Sequence, residues 1–143
     1  MNLESFKNDI IKIYEEMKIN SEFGTGGYPD HDKFQYYLTK LANKYELTFK
    51  TEYVGKRWFY KKTNKWRKGR IDIVYFKDGI PYISLEIDSH IKENSLQKLV
   101  NNDDFKYKIW FCYNESAGKS YEWEETINRV DTKNNIIYLY KPN

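Results

Sequence analysis

A single cysteine, Cys112, is the only thiol in the sequence. That excludes an intramolecular disulfide and fits a reducing cytosol, so a cytoplasmic location is expected. Cys112 itself reads as a small core residue in an apolar strand. Long hydrophobic runs are also missing: none approaches the ~20 residues of a membrane span, and no secretory signal is expected at the start. Histidine is scarce, and His31 and His90 stand at no recognisable metal-binding spacing. Both read as surface residues, with a minor role open to His90 because it follows Asp88 closely. Ser5, Ser89, Ser95 and Ser120 show no nucleophile-elbow pattern. Gly24-Thr25-Gly26-Gly27 lacks the lysine and the strand-to-helix context of a phosphate loop, and reads as a helix connection. There is no internal repeat, low-complexity tract or linker, so the 143 residues are expected to form one domain.

Aromatic residues and one block of positive charge are abundant. Fourteen tyrosines lead the aromatic content. Lys56, Arg57, Lys61, Lys62, Lys65, Arg67, Lys68 and Arg70 follow one another with no acid between them. Formal net charge is +3, so the remainder of the chain carries five more acids than bases. Trp58, Phe59, Tyr60 and Trp66 interleave with the cations. Lys and Arg neutralise phosphates and aromatics stack on bases, so this block, Trp58 and Trp66 included, is the expected nucleic-acid-binding surface. Alternation puts Trp58 and Tyr60 on one side and Phe59 on the other, which leaves part of this set open to a core role. A lysine-rich edge hairpin that discourages sheet aggregation is the competing explanation.

The most telling residues come next. Asp72 lies in the apolar run Ile71 to Phe76, and Glu86 and Asp88 lie in Ile83-Ser84-Leu85-Glu86-Ile87-Asp88. Unpaired buried charge is costly, so carboxylates on apolar strands imply a compensating cation, and an all-oxygen set suits Mg²⁺ or Mn²⁺. A three-residue loop ending in Gly79 would pair Phe76 with Ile80, Val74 with Tyr82, Asp72 with Ser84 and Arg70 with Glu86. One face then holds Ile71, Ile73, Tyr75, Ile83, Leu85 and Ile87. The other holds Arg70, Asp72, Ser84, Glu86 and Asp88, with Val74, Phe76 and Tyr82 nearer the turn. A two-residue Asp-Gly loop would set Ile71 against Glu86 and mix the faces, so the longer loop is expected. Asp72 and Glu86 become diagonal neighbours, roughly 7–8 Å apart at the backbone.

Apolar spacing predicts helices over 3–19, over about 30–45 and over about 91–101. Strands are expected over 47–60, 66–76, 80–87, 106–113 and 136–140, with a turn at Thr63-Asn64. Residues 121–130 fit either helix or strand. The order is α-α-β-β-β-α-β with a short tail.

That order and the acidic residues resemble the PD-(D/E)XK nuclease superfamily, whose core is αβββαβ. The resemblance covers about residues 30–113. An aspartate on the second core strand matches Asp72, and the glutamate of a Glu-x-Lys on the third matches Glu86. Two positions depart from the pattern: Ile71 stands where the family often has proline, and Asp88 stands where it has lysine. The resemblance implies an α/β fold with a mixed central sheet flanked by helices, here with an extra N-terminal helix. It also implies a Mg²⁺- or Mn²⁺-dependent endonuclease acting on DNA in preference to RNA, with a homodimer as one arrangement for cutting both strands and no membrane partner.

In that frame Asp72, Glu86 and the Ile87 carbonyl hold the metal, and Asp88 takes a second metal or pairs with a lysine. Some members carry the lysine on the following helix. On an ideal wheel Lys92 falls about 40° from Leu96, on the inward face, and Lys98 falls roughly opposite, towards solvent. Lys92 is therefore the expected water-orienting residue and Lys98 the second choice. Asp32 and Glu46 are the nearest acids for the first core helix. The alternative function is a non-catalytic nucleic-acid-binding module that keeps the nuclease fold.

Overall fold

The computed structural model describes residues 1–24, 27–113 and 120–139, with the side chains of 120 and 121 outside that description. Thr25, Gly26 and Tyr140 also fall outside it. Helix α1 spans Leu3–Ile19, as the apolar spacing predicts, and Asn2 caps it by accepting the Ser5 amide. Its inward stripe is Phe6, Ile10, Tyr14 and Met17. The second predicted helix is two: α2 over His31–Thr39, capped by Asp30, and α3 over Leu41–Lys44, with Lys40 between them.

Strands β1 (Thr48–Val54), β4 (Arg70–Lys77), β5 (Ile80–Asp88), β6 (Tyr107–Cys112) and β7 (Ile136–Leu139) form one sheet in the order β1-β4-β5-β6-β7. The pairs β1–β4 and β4–β5 are antiparallel, and β5, β6 and β7 run parallel to one another. Helix α4 (Glu93–Asn101) joins β5 to β6, and α5 (Ser120–Val130) joins β6 to β7. Residues 121–130 are therefore helical, as a crossover between parallel strands requires. The fold is α/β with a mixed sheet between two helical layers, as expected. One core packs α1, α2 and α3 on Ile73, Tyr75, Ile83, Leu85, Ile109 and Phe111. A second packs α4 and α5 on Trp110, Cys112 and Ile136, so Cys112 is a core residue, and a third, smaller one joins Ile71 and Val74 to Phe105. No described helix is long and apolar enough to cross a membrane.

Two predicted strands are each broken by a glycine. The segment 47–60 divides at Gly55 and the segment 66–76 at Gly69, leaving β2 (Trp58–Tyr60) and β3 (Lys65–Arg67) as a separate two-stranded sheet. The Gly55 amide donates to the Gly69 carbonyl at 3.1 Å where the hairpin leaves the main sheet. Both glycines press against α4. A Cβ on Gly55 would stand 2.7 Å from the Asn102 amide nitrogen, and one on Gly69 would stand 2.6 Å from the Lys98 Cδ.

The turn between β4 and β5 also differs from expectation. Lys77 pairs with Ile80, so the loop is the two-residue Asp78-Gly79, with φ of 52° and 77°. Left-handed values at both positions make a type I′ turn, whose twist matches the strands. The register then shifts between Tyr75 and Phe76: Phe76 faces Pro81 and Tyr75 faces Ile83. Tyr82 is the extra residue of a bulge. A two-residue loop alone would have reversed the faces, and the bulge reverses them back. Ser84 consequently faces Val74 rather than Asp72.

Gly79→Ala is expected to destabilise the protein by about 1 kcal/mol, because its φ favours glycine. Urea denaturation read by circular dichroism checks this, and an unchanged midpoint would refute the turn assignment.

Candidate functional site

The β4–β5 pairing reaches Ile73–Leu85, one residue short of Asp72 and Glu86. Continuing it sets these two side by side rather than diagonally. Here the carboxylates take over from the ladder. The Asp72 amide donates to Glu86 Oε1 at 3.1 Å, and the Ile87 amide donates to Asp72 Oδ2 at 2.9 Å. Each strand thus satisfies a buried backbone N–H with a side chain of the other, which backbone groups in a core demand. Asp72 and Glu86 are 8% and 1% exposed.

Such burial disfavours the ionised form. Burial pushes the Glu86 carboxyl well up, and the neighbouring Asp72 and Asp88 push it further, while Lys98 opposes them. Burial also raises Asp88, against hydrogen bonds from Ser95 and Trp110. The Trp110 indole donates to Asp88 Oδ2 at 2.8 Å, and Lys92 Nζ lies 3.7 Å from Asp88 Oδ1. Asp88 therefore ties β5 to β6 and to the approach of α4. Among the described residues no three His, Cys, Asp or Glu side chains group to hold a metal ion. Ile87 lines the same pocket.

Lys98 reaches Glu86, and Lys92 does not. Lys98 Nζ stands 3.1 Å from Glu86 Oε1 and donates to the Arg70 carbonyl at 2.8 Å; its side chain is 16% exposed. Lys92 is the extended residue before α4, its carbonyl receiving the Ser95 and Leu96 amides, and its side chain is 49% exposed. The expectation failed because the inward arc was drawn through apolar residues alone. Ser95 and Asn102 are also buried, at 3% each. They turn the buried arc towards Lys98, which lies about 40° from Asn102 on an ideal wheel.

Helix α2 supplies two residues that the sequence reading left out of the site. His31 Nε2 sits 3.3 Å from Asp72 Oδ1. Gln35 donates to the Asp72 carbonyl at 2.7 Å and to Glu52 at 3.1 Å. His31 at i and Gln35 at i+4 share one helix face, which is the signal that was available. Asp32 is 96% exposed in its side chain and touches only the other ring nitrogen of His31; Glu46 is exposed. His90 bonds to Ser89 at 3.0 Å.

These groups line one pocket of about 370 Å³ at the carboxyl ends of β5 and β6, where open α/β sheets bind ligands. It contains Asp72, Glu86 and Asp88 together with His31, Lys92 and Lys98. The basic hairpin stands beside it. Trp58, Arg67, Lys68, Asn94 and Lys98 line an adjoining pocket that shares Asn94 and Lys98 with the first. Lys56, Arg57, Lys61, Lys62, Lys65, Lys68 and Arg70 are exposed. Trp58 is only 5% exposed, so it anchors the hairpin instead of offering a nucleic-acid surface, whereas Trp66 is 59% exposed.

The hydrogen bond to Asp72 raises the His31 imidazole to about 9, against partial burial. A raised histidine stabilises the fold fully below its ordinary value near 6.5, and that contribution fades as pH rises through about 9. An NMR titration of the His31 ring should show a midpoint near 9 in the wild type. It should move back towards 6.5 in Asp72→Asn, and an unperturbed wild-type midpoint would contradict the contact.

No protein-family model, curated protein or solved structure matches this chain.

Proposed function

We propose that this protein is a metal-dependent nuclease that hydrolyses phosphodiester bonds of nucleic acid, DNA in preference to RNA, in the manner of the PD-(D/E)XK enzymes. The observation that carries the proposal is Lys98 Nζ 3.1 Å from Glu86, beside Asp72 and next to the basic hairpin.

The donor chemistry fits Mg²⁺ or Mn²⁺. Those ions take oxygen ligands and are often held by only one or two carboxylates, keeping waters on their remaining positions. The site attracts positive charge: burial and Asp72 strain the Glu86 carboxylate, and Asp72 keeps His31 protonated. Asp72 and Glu86 would hold the ion, helped by the Ile87 carbonyl. When bound, such an ion lowers the pKa of water and stabilises charge on the phosphate.

The chain's own groups do the rest. Lys98 is held against Glu86 and the Arg70 carbonyl, so its ammonium has a fixed position for orienting the attacking water and balancing phosphate charge. Water adds to phosphorus, the phosphorus–oxygen ester bond breaks, and the leaving oxygen takes up a proton. Lys92, on the open side of the pocket, pairs with Asp88 and stands back from Glu86. The basic hairpin supplies phosphate contacts through Lys61, Lys65 and Lys68.

One observation favours a binding module instead. The carboxylates are already satisfied within the protein, Asp72 by His31 and the Ile87 amide, and Glu86 by the Asp72 amide and Lys98. A module of that kind would bind DNA without cutting it.

Plasmid nicking with Mg²⁺ or Mn²⁺ separates the two. Wild type should nick. Asp72→Ala and Lys98→Ala should each lose on the order of a hundredfold or more, with a smaller loss for Lys92→Ala. Undiminished cutting by Asp72→Ala would sink the site, and DNA binding with no cutting at any metal concentration selects the module. Replacing Lys61, Lys62 and Lys65 with Glu should weaken DNA binding and flatten its salt dependence, by about one unit of slope per lost phosphate contact. Affinity unchanged across a salt series would remove the hairpin from the interface.

A further inference from the structure

The β2–β3 hairpin has two unlike faces. Trp58 faces Arg67 and Tyr60 faces Lys65 across the ribbon, while Phe59 faces Trp66. The first face lies on the protein. Trp58 is buried, Arg67 donates to Asn94 at 3.1 Å, and Lys62 approaches Glu93 at 3.6 Å. Asn102 accepts the Lys56 amide at 2.7 Å, fixing one stem of the hairpin on α4. The other stem is held at Gly69, where the Lys98 chain packs.

The second face is open. Phe59 is 43% exposed and Trp66 is 59% exposed. Their rings meet edge to face at 5.6 Å and 84°, and the Arg57 guanidinium lies 5.6 Å from the Trp66 ring centre. A two-stranded ribbon is marginal in water unless a face is covered. Here the anchored face stabilises the ribbon, so the two outer aromatics are held in place without serving the core.

Charge decides what covers them. Arg57, Lys61, Lys65 and Lys68 are all exposed on the same ribbon and its ends, and no acid lies between residues 56 and 70. A polyanion with flat apolar surfaces complements that combination, and such a ligand is a nucleic-acid strand with unstacked bases. Continuous duplex offers phosphates but keeps its base faces inside the stack, so it would engage the lysines and leave Phe59 and Trp66 unused. Position relates the face to the chemistry. The Lys98 side chain packs against Gly69 at the hairpin stem and ends at Glu86, so one lysine side chain spans hairpin and carboxylates.

We infer that the Phe59–Trp66 face stacks on unpaired bases, and that the substrate of the adjacent site is nucleic acid carrying a single-stranded segment rather than continuous duplex. This rests on the nuclease reading above and specifies its substrate class.

The experiment is fluorescence anisotropy in EDTA, at one fixed salt concentration, with labelled DNA as single strand, blunt duplex and duplex with an unpaired tail. Wild type should bind the single strand and the tailed duplex about tenfold or more tighter than the blunt duplex. Trp66→Ala and Phe59→Ala should each remove most of that preference while leaving blunt-duplex affinity within about twofold, and Trp66→Phe should retain it. Single-strand binding should also quench tryptophan emission in wild type and not in Trp66→Ala. Equal affinity for all three DNAs, or equal weakening of all three by Trp66→Ala, overturns the inference and leaves the nuclease reading intact. Failure to bind any of the DNAs also overturns the inference, and the nuclease reading then stands or falls by the nicking assay with metal present. If the only effect of Trp66→Ala is loss of binding to anionic vesicles, or loss of a dimer in sedimentation, the face belongs to a membrane or to a second copy and the inference is wrong.

Discussion

The structure turns on the exchange of hydrogen bonds between Asp72 and Glu86 where β4 and β5 cease to pair. Each carboxylate receives an amide from the opposite strand, Glu86 from Asp72 and Asp72 from Ile87. Removing either side chain would leave a buried N–H without a partner, and keeping both places two acids side by side in the core. Burial pushes the Glu86 carboxyl towards its neutral form, and the rest of the conflict is offset by positive charge. Lys98 supplies it to Glu86 from α4, and His31 supplies it to Asp72 from α2. The helices on both faces of the sheet are therefore coupled to one point at its centre.

Two glycines make the second half of the arrangement. A Cβ at either Gly55 or Gly69 would crowd the side chain of Asn102 or Lys98 at the hairpin stem. With glycine at both positions, the basic ribbon leaves the main sheet and lies along α4. The ribbon then presents its cations beside the pocket that holds the carboxylates. Lys98 belongs to both features, since its stem runs past Gly69 and its ammonium meets Glu86.

Much of this was legible residue by residue. The stripe Phe6, Ile10, Tyr14 and Met17 marks α1, and the partition of Ile73, Tyr75, Ile83 and Leu85 from Glu86 and Asp88 survives in the folded sheet. It survives for a different reason than expected. Asp78-Gly79 makes the tighter turn, and the Tyr82 bulge restores the phase. Parity was readable because a core tolerates only one assignment of faces. The compensating irregularity was not, because a bulge has no pattern of its own. Lys98 was misplaced for a related reason. Apolar residues define a helix face only when the buried surface is apolar, and α4 buries Ser95 and Asn102 as well.

The sequence by itself determined the α/β class, the apolar faces, the acids set within them and the block of cations between Lys56 and Arg70. These are local properties, carried by periodicity and by the cost of burying charge. Only the tertiary structure decided which cation meets which acid, that Trp58 is an anchor and Trp66 a surface, and that His31 belongs to the site. Those outcomes depend on contacts between residues far apart in the chain, such as His31 with Asp72 and Gly69 with Lys98; the spacing of His31 and Gln35 puts them on one helix face but does not say which strand that face meets.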